Sequence, residues 1–186
     1  MKLLRSGLMR QVDQTTCGSA VLVALRAAGE GRLDQALAQP NELEQLGMHA
    51  ATSYRGLGPL TWPQRFGTPP WAAAREARFP GARYVVRWLT PVVSAPRAAS
   101  VLAAAHHATQ LGFPVPLYCG GAPGLSVEGL PRHVVLALPG GGGQWRIYDP
   151  AVGSVFELGE RELLTSPGES LGGWSHLWAA LLPVPV

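Results

Sequence analysis

The sequence predicts an α+β fold in which N-terminal helices pack on a C-terminal antiparallel sheet. Two segments, 17–28 and 98–111, are long, rich in alanine and other apolar residues, and bounded by glycine or proline. Short β-prone runs dominate the chain after residue 113, and Gly140 to Gly143 reads as a flexible hairpin loop between two of them. At 186 residues the chain matches the roughly 100 to 200 residues expected of one domain. The helical half covers about 1–112 and the sheet half about 113–186.

Taking the elements in order, Ala20, Val21, Val23, Ala24, Leu25, Ala27 and Ala28 form an apolar surface too broad for one stripe, which predicts a buried central helix from Cys17. Gly29 is expected to end it, and Thr15 or Thr16 to supply an N-cap hydroxyl. Residues 32–47 predict one or two short helices broken at Pro40 and Asn41, and 71–78 another after Pro69 and Pro70. Tyr84 to Leu89 reads as a strand, and Ala98 to Leu111 as a helix stopped by Gly112 and Pro114. Val115–Cys119, His133–Leu138, Gln144–Tyr148, Ser154–Leu158 and Trp178–Leu182 are the later strands.

Composition excludes several classes. With 47% hydrophobic and 15% charged residues the chain is globular and not disordered. The 23 glycines and 17 prolines gather between the patterned segments and read as turns. The net charge of +3 comes from singly scattered arginines without a basic run or aromatic platform, so no nucleic-acid partner is expected. The N-terminus lacks the apolar run of about 7 to 15 residues that marks a secretory signal, and no stretch approaches the roughly 20 apolar residues needed to span a bilayer. The expected setting is the cytoplasm, with no membrane association and no cofactor.

Cys17 and Cys119 are too few for a disulfide framework and lack zinc-site spacing, so no metal is expected. One disulfide between them is the lesser alternative to a nucleophilic thiol. Cys17 is placed at the positive end of a helix dipole, but that effect is typically worth about 0.3 to 1 kcal/mol, so the thiol also needs an activating base. Of the five histidines, His133 stands at the mouth of an otherwise apolar strand, where an imidazole is held without being lost in the sheet. Asp149 ends the next strand of the hairpin, from which a carboxylate fixes the imidazole tautomer. An oxyanion donor is also required, and Gln11 and Gln14 both precede Cys17 closely enough. His106 and His107 point about 100° apart on a helix and make a poor metal pair, and His49 and His176 have no polar company in sequence. Trp62, Trp71, Trp145 and Trp174 read as core or groove lining.

The run Gln11-Val12-Asp13-Gln14-Thr15-Thr16-Cys17-Gly18-Ser19-Ala20 resembles the active-site segment of the bacteriocin-processing, double-glycine leader peptidases of the papain-like cysteine peptidase superfamily. In the second half, Gly112-Phe113-Pro114-Val115-Pro116, His133-Val134-Val135 and Asp149-Pro150-Ala151-Val152-Gly153 follow in that family's order. The resemblance covers about 8–32 and 95–158. Thr16 stands where the family commonly has Asp, and residues 50–80 match no part of its pattern. The resemblance implies a papain-like fold, Gln11 as oxyanion donor, Cys17 as nucleophile, His133 as general base and Asp149 as its orienting partner.

The function expected is a cysteine peptidase that hydrolyses peptide or related amide bonds, with a peptide or protein as substrate. Two other outcomes use the same residues. One is transfer of the acyl group to an amine or thiol, as in an acyltransferase or transglutaminase-like enzyme. The other is a catalytically silent peptide-binding module whose tryptophans and glycine-rich loops form a groove.

Overall fold

A computed structural model describes residues 1–89, 94–122, 131–140, 142–165 and 168–186. These residues build an antiparallel sheet with helices on both faces. The elements are β1 (Lys2–Arg5), α1 (Cys17–Gly29), α2 (Leu33–Leu37), α3 (Glu42–Ser53), α4 (Pro70–Glu76), β2 (Ala82–Trp88), α5 (Ala95–Gln110), β3 (Val115–Gly120), β4 (Pro131–Leu138), β5 (Trp145–Asp149), β6 (Ser154–Leu158), α6 (Glu160–Thr165) and β7 (His176–Pro185). The sheet has seven strands in the order β1-β6-β5-β4-β3-β7-β2.

The expected α+β class holds, but strands and helices are not segregated along the chain. β1 pairs with β6 at one edge and β2 with β7 at the other. Both edges of the sheet therefore come from the N-terminal half. The five later strands match their expected runs to within a few residues at each end. The β4–β5 connection is the expected hairpin, although Gly141 lies outside the described residues.

Alternation along the strands divides the core in two. Val134, Leu136 and Leu138 of β4 face the cluster that holds α1, whereas Val135 and Ala137 face the cluster that holds Val101, Leu102, Ala105 and Ala108 of α5. Because helices cover both faces, β3 is buried along its whole length. That is why these strands read as continuous apolar runs. Helix α1 is the central helix expected: every residue from Cys17 to Leu25 is buried. Truncating Leu22 or Leu25, 2% and 0% exposed, to alanine should cost about 2–5 kcal/mol through lost burial and the cavity left behind.

Two details of α1 differ from expectation. Gly29 is its last residue and not its terminator; the chain turns at Gly31, whose φ is +70°, and Arg32 N–H closes on the Ala27 carbonyl at 2.8 Å. Thr16 occupies the N-cap position without capping through its side chain. Its hydroxyl is spent on Asp13, accepting from the backbone N–H at 2.9 Å and donating to the carbonyl at 3.0 Å. This local side-chain turn competes with the cap and delivers Cys17 directly into the first helical turn.

Candidate active site

The approach to Cys17 is fixed by contacts with distant parts of the chain. Leu8 N–H donates to the Gly153 carbonyl at 2.9 Å and Gln11 N–H to the Pro150 carbonyl at 2.9 Å. Gln45, fully buried in α3, donates to the Arg10 carbonyl at 3.0 Å and accepts from Val12 N–H at 3.2 Å. The segment carrying Gln11 is therefore clamped from two sides. Sequence reasoning missed Gln45, because an isolated Gln in an amphipathic helix looks like a surface residue until its partners some thirty positions away are known.

Asp149 ends β5 inside a tight turn. Its Oδ1 accepts from Ala151 N–H at 2.8 Å, and Gly153 N–H returns to the Asp149 carbonyl at 2.9 Å. Gly153 has φ +62°, and a Cβ there would meet the Leu8 carbonyl oxygen at 2.4 Å, so only glycine lets this turn lie against the N-terminal segment. The turn that aims Asp149 and the segment that bears Gln11 are packed as one unit.

His133, the third residue of strand β4, brings Nε2 to 2.7 Å from Asp149 Oδ1. With Nε2 taken by Asp149, Nδ1 is the nitrogen left for Cys17, which lines the same cleft and whose charge bears on the ring. His133 is 5% exposed, Cys17 4% and Asp149 0%. Burial pulls the imidazole pKa down, but the hydrogen bonds and charges of Asp149 and Cys17 outweigh it, and the net position is raised to about 9. The imidazolium is thus the favoured form at neutral pH. Gly172 packs against the ring: a Cβ there would meet His133 Cδ2 at 2.7 Å and Nε2 at 2.9 Å.

The structure thus brings together Cys17, His133 and Asp149, and Gln11 lines the same cleft of about 430 Å3 with Cys17 and His133. Gln11 Nε2 donates one hydrogen to the Asp13 carbonyl at 2.7 Å; a carboxamide has two, so one remains for the cleft. Gln14 also lines the cleft but is exposed. As the first residue of α1, Cys17 contributes one of the unpaired N–H groups of a helix start. Arg65, Phe66 and Trp174 complete the walls.

Cys119 lies opposite His133 in the β3–β4 ladder and is fully buried, and both cysteines are free. Burial, and then the charges of Cys17 and Asp149, push the Cys119 thiol pKa well up. Among the described residues no group of three or more His, Cys, Asp or Glu is placed to hold a metal ion, and no helix is long and apolar enough to cross a membrane.

His49 is the second residue that sequence reasoning passed over. It is buried among hydroxyls, with Thr15 Oγ1 at 3.4 Å from Nε2 and Ser19 Oγ at 3.4 Å from Nδ1. Thr68 Oγ1 closes the cluster at 3.5 Å from both Ser19 and Thr52. Of the remaining histidines, His106 packs its ring 5.0 Å from Trp145 and His107 is exposed.

No family model matches this chain, and no curated protein matches it. Among solved structures it is similar to a double-glycine motif protease from an AMS/PCAT transporter in complex with the leader peptide, at 14% identity and a TM-score of 0.48, covering 100% of this chain and 95% of that one. It is also similar to the peptidase domain of Streptococcus ComA, a bifunctional ABC transporter involved in a quorum-sensing pathway, at 15% identity and a TM-score of 0.46, covering 98% of this chain and 100% of that one. At these values the likeness assigns no residue a role, and the chemistry follows from the side chains of this chain alone.

Proposed function

We propose that this protein is a papain-like cysteine peptidase, hydrolysing peptide or related amide bonds through Cys17, His133 and Asp149 with Gln11 as an oxyanion donor. The observation that carries the reading is the buried 2.7 Å hydrogen bond that His133 Nε2–H donates to Asp149 Oδ1, which leaves the other ring nitrogen for a thiol at a helix N-terminus. The thiol proton already rests on His133 as the imidazolium, and the thiolate of Cys17 attacks the substrate carbonyl carbon. The oxyanion is met by Cys17 N–H and the uncommitted hydrogen of the Gln11 amide. His133 passes its proton to the leaving amine. It then deprotonates the water that cleaves the thioester and regenerates the thiol. A reducing compartment such as the cytoplasm suits a free thiol nucleophile.

Iodoacetamide labelling at neutral pH, read by mass spectrometry, tests this. Cys17 is expected to react far faster than Cys119, but burial of Cys119 would already produce that order. The decisive result is the His133→Ala variant, in which Cys17 should slow by about tenfold or more. Equal Cys17 rates with and without His133 would overturn the reading, as would peptide cleavage by Cys17→Ala at the parent rate.

A further inference from the structure

At the end of α1 away from Cys17 lies a cavity of about 550 Å3, which opens beside Ala28 and Gly31. A helix rises about 1.5 Å per residue, so Ala28 stands roughly 16 Å from Cys17 along the axis. The cavity shares no lining residue with the cleft that holds Cys17 and His133.

Its lining is of two kinds. Three guanidinium groups reach it from separate parts of the chain, Arg5 from β1, Arg32 from the turn before α2 and Arg146 from β5, against one carboxylate, Asp34. The inner wall is apolar, with Leu37, Leu138 and Val155 buried and Phe79 half-buried.

Arg146 is the residue that the fold leaves unexplained. Trp145 and Ile147 face the α5 side of the sheet and Tyr148 the α1 side, so alternation along β5 sends Arg146 to the α1 side, opposite Leu138. Its strand lies between β4 and β6, which hold its backbone in place. A cation held against an apolar sheet face loses hydration that a partner must replace. Among the described residues, half-buried Arg146 donates one hydrogen bond, to the Pro139 carbonyl at 3.1 Å, and makes no ion pair. Glu157 stands opposite it in register, with Lys2 on the other side, and pairs with neither.

Arg5 and Arg32 do have carboxylate partners, Asp34 and Glu30, but both pairs are open to water and therefore weakly held. Each guanidinium has five N–H donors. Among the described residues Arg5 and Arg146 each commit one of them and Arg32 two, so most remain for an incoming acceptor.

We propose that this cavity binds a small organic anion, a carboxylate on an aromatic or aliphatic body. The carboxylate lies in the fork of Arg146 with Arg5 and Arg32 closing on it from the rim, and the body rests on Leu37, Leu138 and Val155. A bare inorganic anion leaves the apolar wall unused, and a neutral apolar molecule leaves the guanidiniums unpaired. The site is independent of the chemistry at Cys17.

Titration calorimetry of the intact protein with naphthalene-2-carboxylate, its neutral carboxamide and inorganic phosphate tests this. The carboxylate should bind about tenfold or more tightly than either comparison compound. That margin should vanish in Arg146→Gln and persist in Arg83→Gln, which removes an exposed cation from β2, at the far edge of the sheet. Arg32→Gln, changed at an exposed side chain, supplies the same comparison if Arg146→Gln does not fold, and should weaken the carboxylate about threefold or more without affecting the carboxamide. Backbone amide resonances of Gly31 and Gly112 should shift on adding the carboxylate, since both residues line the cavity. Failure of the carboxylate to bind at millimolar concentration, equal affinity for it and either comparison compound, or a margin unchanged in the Arg146 and Arg32 variants would overturn the site. So would resonance shifts confined to the first turn of α1, which would place the anion in the thiol cleft beside Arg65 and Arg132.

Discussion

Two imidazoles, His133 and His49, serve the first turn of α1 and its approach, and both are 5% exposed. Burial disfavours the charge on each, yet they titrate in opposite directions. His133 has a fully buried carboxylate at 2.7 Å and is raised to about 9. The nearest side-chain partners of His49 are hydroxyls at 3.4 Å. The carboxylate in its neighbourhood, Asp13, is exposed and committed to Thr15, accepting from its backbone N–H and its hydroxyl, each at 2.7 Å. Burial therefore prevails at His49 over the more distant charge of Asp13, and its pKa falls below the ordinary imidazole value. What separates the titration of the two rings here is where the carboxylate points, not how deeply the ring is buried.

The sharpest way to break this contrast is Asp149→Asn. It leaves His133 buried but removes the opposing charge, so the ring pKa should drop from about 9 to below about 6.5, and Cys17 alkylation at pH 7 should fall by about a hundredfold. An NMR titration of the imidazole alongside labelling kinetics measures both. An unmoved titration would transfer the raised value to Cys17.

Ring placement comes next. Gly172 and Gly173 both have positive φ, +63° and +80°, so alanine at either incurs a similar backbone cost of about 1 kcal/mol. Only at Gly172 does the new methyl strike His133, whereas at Gly173 nothing lies within 4 Å. Gly172→Ala should slow Cys17 labelling about tenfold or more beyond whatever Gly173→Ala does. Equal rates in the two variants would show that the ring tolerates displacement.

A subtler test concerns His49 and acid. Because its folded pKa is depressed, the unfolded chain binds the proton more readily below about pH 6.5, so folding stability falls as pH drops through that window. Asp13, also held below its ordinary value, adds a loss of the same sign nearer pH 4. Urea unfolding of His49→Asn from pH 7 to 5 should show a flatter acid limb than the parent. An identical limb would place the acid sensitivity elsewhere. The smallest effect is expected of Ser19→Ala, which removes hydroxyl contacts of 3.4 and 3.5 Å and should cost about 1 kcal/mol or less in the same assay, with the His133 titration unchanged.

The parts of this molecule that could be read from its sequence are those whose information is local. The helix from Cys17, the long Ala-rich helix and the later strands each carry their period and their boundaries within a dozen residues. Cys17, His133 and Asp149 were legible because each stands at the end of such an element, and the structure brings all three together. Strand β1 was not legible, since its four residues are mostly exposed and show no alternation. Nor was the cap: Thr16 has the right side chain, but Asp13 three residues earlier captures it. His49 and Gln45 gain their meaning only from partners roughly thirty residues away, and the arginine-lined cavity only from side chains spread between positions 5 and 155.

The interleaved order of the sheet has a consequence for synthesis. Cys17 leaves the ribosome early, yet its proposed base His133 arrives on β4 and the proposed orienting Asp149 on β5. β1 must wait for β6, and β2 for β7, before either edge strand has a neighbour. Such distant pairing is slow to form and makes assembly of the sheet a late event. On the proposed function, a growing chain would carry Cys17 as an ordinary thiol until β4 and β5 are in place. Topology alone would thus withhold the proposed nucleophile until translation has passed the hairpin.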